Sequence, residues 1–397
     1  MTDLPLPAPV RSLIRRLEDA GYPVYAVGGY LRDFLLGLKT HDIDLATAAR
    51  PEETVGVLAD YRIIPTGLQH GTLTVLAEGL PVEVTTFRQD GSYSDHRRPD
   101  RVRFTSSIRE DLSRRDFTIN AMAWRREEGW IDPWGGRPDL ESRIVRAVGD
   151  PVICFREEAL RILRAVRLSS ELGFRIEEET EKALMSGREL LVHVASERVR
   201  MEVERLLGGR DAERVLLEFD VLLKTVLPEL AFLLQGDGQL YRRAAKRAAG
   251  VRPDPVLRFA AFLHEAESPE AVQEAARRLR FSRSDTARIV RLTRAGDLEL
   301  EAKAESIWPA WQSLGERLFS DLLELRSVFD RAGVEKIQKE ARDLSDRGRL
   351  LQLSDLALDG HDLQKQGYRG SRIGRLLQEL LRRVCEESLP NQKERLL

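Results

Sequence analysis

Cysteine is scarce: Cys154 and Cys385 are the only two in 397 residues. Two thiols so far apart in sequence do not make a disulfide framework, and they fit a reducing compartment. Histidine is scarce too, with six copies and no metal-ligand spacing among them. His264-Glu265 lacks a second histidine at the helical interval of a zinc protease. His41-Asp42 and His361-Asp362 are H-D pairs of the kind metal phosphohydrolases use, but the further His and Asp ligands such a site needs cannot be assembled. No run is long and apolar enough to span a bilayer, and the N-terminus holds no apolar stretch suited to a secretory signal. These absences predict a soluble, cytoplasmic protein with no membrane partner. A charge excess is missing as well. The formal net charge is −2 at pH 7, so any hold on nucleic acid must come from local basic patches. The length is too great for one compact core and predicts two to four domains.

What is present is organised around Tyr25–Thr47, YAVGGYLRDFLLGLKTHDIDLAT. It reads as strand, tight turn, short helix, loop and strand. Gly28-Gly29 lets the backbone turn sharply and lets another group approach it. Leu31, Phe34, Leu35 and Leu38 then recur at helical spacing. A glycine pair opening a helix directs free N–H groups outward, where phosphate oxygens can bind, and Arg32 in the first turn can reach the same phosphates. In His41-Asp42-Ile43-Asp44-Leu45 the two aspartates share a strand face while Ile43 and Leu45 point into the core. Two adjacent carboxylates repel, so the pair asks for a cation. Hard oxygen ligands favour Mg²⁺ or Mn²⁺. A phosphate cradle followed by D-x-D is equipment for nucleotidyl transfer by two ions. A calcium loop is a poor alternative, because Ala46 and Thr47 fall where an EF-hand needs an oxygen ligand and glycine.

Further along, Arg11–Ala20 reads as an amphipathic helix, and Pro51-Glu52-Glu53 opens another. Strands at Thr72–Leu76 and Pro81–Phe87 are joined through Glu78-Gly79. Glu83 falls on the face opposite Val82 and Val84, as a third carboxylate near Asp42 and Asp44 or as a solvated edge residue. Asp90–Phe104 is polar, arginine-rich and broken by Gly91 and Pro99, so it reads as a mobile loop. Arg114-Arg115-Asp116 and Asn120 combine phosphate-binding guanidinium groups with groups that bind ribose hydroxyls. Ile131–Gly136 is a structural turn. Phe155–Arg167 reads as one strong helix, with Arg161, Arg164 and Arg167 in a basic stripe and Glu157 and Glu158 within reach of Arg161. Ser196–Leu207 is another helix, stopped by Gly208-Gly209. Beyond residue 210 the chain is helical throughout. Trp308 and Trp311 lie on one helix face and read as core. Arg242, Arg243, Lys246 and Arg247 form a basic patch that suits either RNA or solvent.

GGYLRDFLLGLKTHDIDLAT resembles the signature of the nucleotidyltransferase superfamily, and more narrowly that of bacterial-type (class II) CCA-adding enzymes and their poly(A) polymerase relatives. Arg114–Ala121 resembles the family's second motif. Glu157-Glu158-Ala159-Leu160-Arg161 resembles the E-D-x-x-R segment with which the family reads the incoming base without a nucleic-acid template. The chemistry is sensible: a carboxylate accepts from the exocyclic amine of cytosine or adenine, whereas uracil and guanine present a carbonyl there. Glu158 stands where the family has Asp, so its carboxylate is expected to sit further out and to be less constrained. Residues 196–207 resemble a scaffold segment. The loop at 90–104 resembles one that takes part in switching from C to A addition and that C-only relatives lack. Asp355–Leu363 and Gly367–Gly374, with the stripe from Ile373 to Val384, resemble the tail that contacts the tRNA elbow.

The resemblance implies an α+β chain. A polymerase-β-like head with a small mixed or antiparallel sheet spans residues 1–150. An all-α neck (151–210), body (211–340) and tail (341–397) follow. It implies CTP- and ATP-dependent addition of C-C-A to tRNA 3′ ends, with no obligate protein partner. Asp42 and Asp44 hold two Mg²⁺ ions, with Glu83 as a third candidate. Gly28, Gly29 and Arg32 bind triphosphate. Arg115, Asp116 and Asn120 orient the nucleotide. Glu158, Arg161, Arg164 and Arg167 form the base-reading and phosphate-steering face. Lys365, Arg369 and Arg372 are the candidates for RNA contact. The alternatives are an enzyme adding only the terminal A, a poly(A) polymerase, and a non-catalytic RNA-binding relative.

Overall fold

The computed structural model of the chain describes all residues except 1–3, 40–41, 92–101, 297, 348–352 and 386–388. Most of the arginine-rich loop expected at 90–104 therefore lies outside the described residues, as does His41. The chain forms two compact units, Met1–Pro228 and Glu229–Leu397. Among the described residues no helix is long and apolar enough to cross a membrane.

The first unit is built on a seven-stranded sheet. Its strands are β1 (Val24–Val27), β2 (Ile43–Thr47), β3 (Arg62–Gly67), β4 (Thr72–Ala77) and β5 (Leu80–Thr86). After β6 (Arg88–Asp90) and β7 (Val102–Phe104), which form a separate pair, come β8 (Ala123–Arg125) and β9 (Gly129–Ile131). The spatial order is β3-β4-β5-β2-β1-β8-β9. β2 and β5 run parallel, and the other neighbours are antiparallel. The expected mixed sheet is thus present. Residues directly opposite across strands share a face. Register therefore groups Val24, Ala26, Leu45 and Val84 on one face, and Tyr25, Val27, Asp44, Ala46 and Glu83 on the other.

The first face is buried, and α1 (Ala8–Asp19) packs against β1 and β4 with Val10, Leu13 and Leu17 inward. The second face is divided. Tyr25, Val27 and Ala46 join Phe87, Ile108, Leu112 and Ala123 in a buried cluster, while Asp44 and Glu83 line a cavity.

α2 (Gly29–Leu35) buries Tyr30 and Leu31, but Leu35 and Leu38 are exposed. The apolar spacing had extended this helix to Leu38. It stops earlier because Gly37 adopts φ 67° and the N–H groups of Gly37 and Leu38 donate to the carbonyls of Phe34 and Asp33 at 3.1 and 2.9 Å, a Schellman ending. Three head helices follow: α3 (Pro51–Val57), α4 (Ile108–Ser113) and α5 (Gly136–Ser142). Asp132 accepts from the N–H groups of Gly136 and Arg137 at 2.7 and 2.9 Å. It thereby caps α5 and gives the D-P-W-G-G turn a structural role.

The neck contains α6 (Pro151–Glu157), α7 (Leu160–Leu172), α8 (Glu178–Gly187) and α9 (Ser196–Gly208). The single helix expected over Phe155–Arg167 is broken. Glu158 is extended, at φ −135° and ψ 101°. Its neighbours are good helix formers, so tertiary contacts override propensity here. Arg161 supplies one such contact: its Nη1 donates to the Cys154 carbonyl at 3.3 Å and helps close the end of α6.

The second unit is helical at every regular element described. Its end is a cluster of Leu356, Leu358, Leu363, Leu380, Leu381, Val384, Cys385 and Leu396. Trp308 packs against this cluster, and Trp311 meets Phe319 edge-on at 5.4 Å. Both tryptophans are core-packing residues, as expected.

Candidate active site

β1 ends at Val27, and the chain then turns through Gly28 at φ 75° and ψ −145°. A side chain there is strained and also obstructed: a Cβ on Gly28 would lie 3.1 Å from Arg115 Nη1 and 3.2 Å from Asp44 Oδ2. The glycine therefore lets the backbone pass beside a carboxylate and a guanidinium.

β2 carries Asp44 directly opposite Glu83 of β5, and Asp42 just precedes the strand. Ile43 and Leu45 are buried, so the period-2 reading of D-I-D-L holds. Glu83 is exposed and on the face of Asp44. Burial pushes the Asp44 carboxyl up to about 6; Arg115 opposes the shift, and Glu83 and Asp42 add to it.

Arg115 is held by Asp111, whose buried carboxylate accepts from Arg115 Nη2 at 3.3 Å and from Arg114 Nη2 at 2.8 Å. The two guanidinium groups hold the Asp111 carboxyl below its ordinary range against the burial that would raise it. Arg115 Nε is buried without a hydrogen-bond partner among the described residues. Sequence reasoning missed Asp111. Its three- and four-residue spacing to Arg114 and Arg115 on α4 was the available signal.

A hydrogen-bonded line runs from α2 to α7. Arg32 donates from Nε to Asp33 at 2.8 Å and from Nη1 to Asn120 Oδ1 at 2.7 Å. Asn120 Nδ2 donates to Asp116 Oδ1 at 3.1 Å, and the Phe117 N–H donates to the same oxygen at 2.8 Å. Arg164 Nε donates to Asp116 Oδ2 at 2.8 Å. Asp116 is buried, yet Arg164 and these hydrogen bonds depress its carboxyl well below the usual range. Residues from three separate motifs are thus one connected unit.

The basic stripe of α7 is not a free basic surface. Arg161 reaches the Cys154 carbonyl, Glu157 at 3.0 Å and the Arg114 carbonyl at 2.8 Å. Arg167 is buried and paired with Glu202 at 2.6 Å and with Glu171. Only Arg164 keeps a substantial exposed fraction, 36% of its side chain. The expected ion pairs form in spite of the helix break: Glu157 is 3.0 Å and Glu158 is 3.7 Å from Arg161. Glu158 also pairs with Arg198 of α9. Its carboxylate is consequently fixed from two sides, not looser as the longer side chain had suggested. Residues 196–207 are more than scaffold, since Arg198 and Arg205 reach the cavity.

The site residues line one cavity of about 550 Å³. It brings together Gly28, Gly29, Arg32, Asp42, Asp44, Glu83, Arg115, Asp116, Asn120, Glu158, Arg161, Arg164 and Arg167. Its lining sets Asp44 and Arg115 beside the Gly28 turn, with Asp42 and Glu83 near Asp44, and sets Glu158 beside Arg161 and Arg198. With a cation between the carboxylates, a triphosphate suits the first group together with Arg115, and the exocyclic amine of a base suits the Glu158 carboxylate. Among the described residues, no three His, Cys, Asp or Glu side chains converge as a metal cage. Lys365, Arg369 and Arg372 lie apart in sequence and in the second unit, where all three are exposed.

Comparison with known proteins points the same way. The poly A polymerase head domain matches residues 24–146. The RNA and SrmB-binding site of polymerase A matches residues 173–234, and tRNA nucleotidyltransferase domain 2 matches residues 256–397. The CCA-adding enzyme of Lacticaseibacillus paracasei is 36% identical over 402 aligned positions, covering 97% of this chain and 94% of that one. That of Geobacillus thermodenitrificans is 47% identical over 234, covering 59% of this chain and 56% of that one. The CCA-adding enzyme of Bacillus stearothermophilus in complex with CTP superposes with a TM-score of 0.79 at 32% identity, covering 98% of this chain and 96% of that one. The Thermotoga maritima CCA-adding enzyme complexed with tRNA shares the fold, with a TM-score of 0.63 at 22% identity, over 97% of this chain and 92% of that one.

Proposed function

This chain belongs to the CCA-adding enzyme family, and from that premise we propose that it transfers CMP and AMP from CTP and ATP to tRNA 3′ ends without a nucleic-acid template. The observation that carries the reading is the single cavity that joins a carboxylate cluster, a glycine turn and an arginine-framed Glu158.

The catalytic residues of the proposal are Asp42 and Asp44. Nucleotidyltransferases of this family use divalent metals. The donor set fits a hard cation: Asp44 is half-buried beside two other carboxylates, and all three present oxygen. Mg²⁺ in particular is held by one or two carboxylates and completed by water and substrate phosphates, which suits a site without a three-residue cage. When bound, such ions activate the attacking 3′-hydroxyl and neutralise the leaving pyrophosphate. Asp42 and Asp44 would hold them, with Glu83 adjoining.

The remaining residues position the nucleotide. Gly28 and Gly29 bring backbone close to the phosphates. Arg115, braced by Asp111 and with a spare donor, faces the phosphate end. Arg32, Asn120, Asp116 and Arg164 hold one another and so fix the wall between the phosphate end and the base end. Glu158 and Arg161 read the base edge. In the second unit, Lys365, Arg369 and Arg372 contact tRNA phosphates near the elbow. The four-part division at residues 150, 210 and 340 and a cytoplasmic location belong to the same proposal.

Primer extension tests it. Purified protein with Mg²⁺ is offered tRNAs ending before CCA, after C and after CC, with each nucleotide alone and with CTP plus ATP. Full C-C-A addition to the first is expected. A single A on the CC-ended tRNA alone would mark an A-adding enzyme. Long A tracts on all three would mark a poly(A) polymerase, and binding without extension a non-catalytic relative. Replacing Lys365, Arg369 and Arg372 with alanine should raise the tRNA Kd and flatten its salt dependence while leaving nucleotide KM unchanged.

A further inference from the structure

Glu158 is the position at which this chain departs from E-D-x-x-R. An extra methylene adds a rotatable bond, and a base-reading carboxylate that swings discriminates poorly. The structure supplies a restraint from a distant part of the chain. Arg198, in the first turn of α9, donates from Nη2 to Glu158 Oε1. The other carboxylate oxygen, Oε2, lies 3.7 Å from Arg161 Nε. All three side chains line the same cavity.

The two arginines are not equivalent. Arg161 is bound to the Cys154 carbonyl, the Glu157 carboxylate and the Arg114 carbonyl, so its place is set by α6 and by the head. Arg198 makes the closer contact with Glu158, and a charge-assisted hydrogen bond is short and directional. It engages Oε1 and leaves Oε2, 3.7 Å from Arg161 Nε, as the second acceptor.

We propose that Arg198 is a specificity-positioning residue. By holding one Glu158 oxygen it presents the other to the exocyclic amine of cytosine or adenine. This rests on the reading of Glu158 as base reader. Arg198 acts through Glu158 and takes no part in phosphoryl transfer.

The test is a double-mutant cycle with fidelity as its readout. Arg198→Ala, Arg198→Lys, Glu158→Asp and the Arg198→Ala/Glu158→Asp pair are each given CTP, UTP, ATP and GTP on tRNAs ending before CCA and after CC. In the wild-type background Arg198→Ala should lower the preference for CTP over UTP, and for ATP over GTP, by about tenfold in kcat/KM, the effect of one lost charge-assisted hydrogen bond. The change should fall mainly on KM for the correct nucleotide. Arg198→Lys, which keeps the charge without the planar fork, should fall between. With Glu158→Asp, whose shorter side chain leaves the arginine's reach, Arg198→Ala should change the preference less than about twofold. Unchanged fidelity in Arg198→Ala, or an equal loss in both backgrounds, would overturn the proposal and leave Arg198 as scaffold. If Arg198→Ala does not fold, Arg198→Lys alone decides, since wild-type fidelity there also overturns it. Wild-type fidelity in Glu158→Gln would instead overturn the premise, and absence of C-C-A addition by the unmodified protein would overturn the proposed activity.

Discussion

Asp44 and Glu83 face each other across the parallel pair β2 and β5. Like charges directly opposite on a sheet are unfavourable, and here one of them is half-buried, with Asp42 close by. Such a cluster is an electrostatic liability to the fold that a bound cation relieves. The expected result for Asp44→Asn is therefore twofold. Nucleotide incorporation falls by at least about a hundredfold, while thermal melting in EDTA shows no loss of stability, because the substitution keeps the shape and removes the repulsion. Retained tRNA binding in a gel-shift assay separates loss of chemistry from loss of structure.

Gly28 tests the cradle. Gly28→Ala imposes a side chain at φ 75° and crowds Arg115 Nη1 and Asp44 Oδ2. Gly37 has a similar φ of 67°, but a Cβ there meets nothing within 4 Å. Gly37→Ala should lose about 1 kcal/mol from backbone strain, and Gly28→Ala, at a φ/ψ essentially confined to glycine, about 1–3 kcal/mol. Only Gly28→Ala should also lose activity. Denaturant melts beside single-turnover incorporation distinguish the shared cost from the local one.

The head was readable because short-range rules govern it. The G-G turn and the D-I-D-L alternation follow from glycine conformation and strand period, whereas Glu83 stayed open between third carboxylate and solvated edge residue, because its place opposite Asp44 comes from strand pairing across the sheet. The break at Glu158 was not readable. E-E-A-L-R is built from good helix formers, and what bends it is the set of contacts that Arg161 and Glu158 make with Cys154, Arg114 and Arg198, of which only Cys154 is near in sequence. For the same reason the partners of Arg164 and Arg167 in the basic stripe were not visible. These partners, Asp116 and Glu202, lie 48 and 35 residues from the arginines they hold, and no spacing rule reaches that far. Helix α2 failed differently: Gly37 was visible, but four leucine and phenylalanine residues at helical spacing outweighed it.

Cys154 offers a probe of the neck. It is buried in the middle of α6, and that burial pushes its thiol up to about 11, with Arg161 opposing the shift. At pH 8 only about one part in a thousand is thiolate, the reactive form. Cys385 is buried as well. Ellman's reagent at pH 8 should therefore detect almost no thiol in the native protein and both thiols in guanidinium chloride. Fast reaction of one thiol in the native state would mean that α6 or the tail opens readily.

Asp116 links pH to stability. Its carboxyl is depressed in the native state, although burial alone would raise it, because Arg164 and the hydrogen bonds from Asn120 and Phe117 hold the charged form. A carboxylate with a lower native than unfolded pKa binds fewer protons when folded. Its contribution is fully present above the unfolded value of about 4 and is lost as pH falls from there toward the native value. Asp116→Asn keeps the shape but leaves the Arg164 guanidinium without its anion. Breaking a buried pair costs about 3–5 kcal/mol; Arg164 is more than one-third exposed, so solvent screening brings the expected cost to about 2 kcal/mol at pH 7. Urea melts of both proteins between pH 7 and pH 3 should show this gap constant down to about pH 5 and narrowing below pH 4. A gap independent of pH would mean that the pair holds the neck by shape and not by charge.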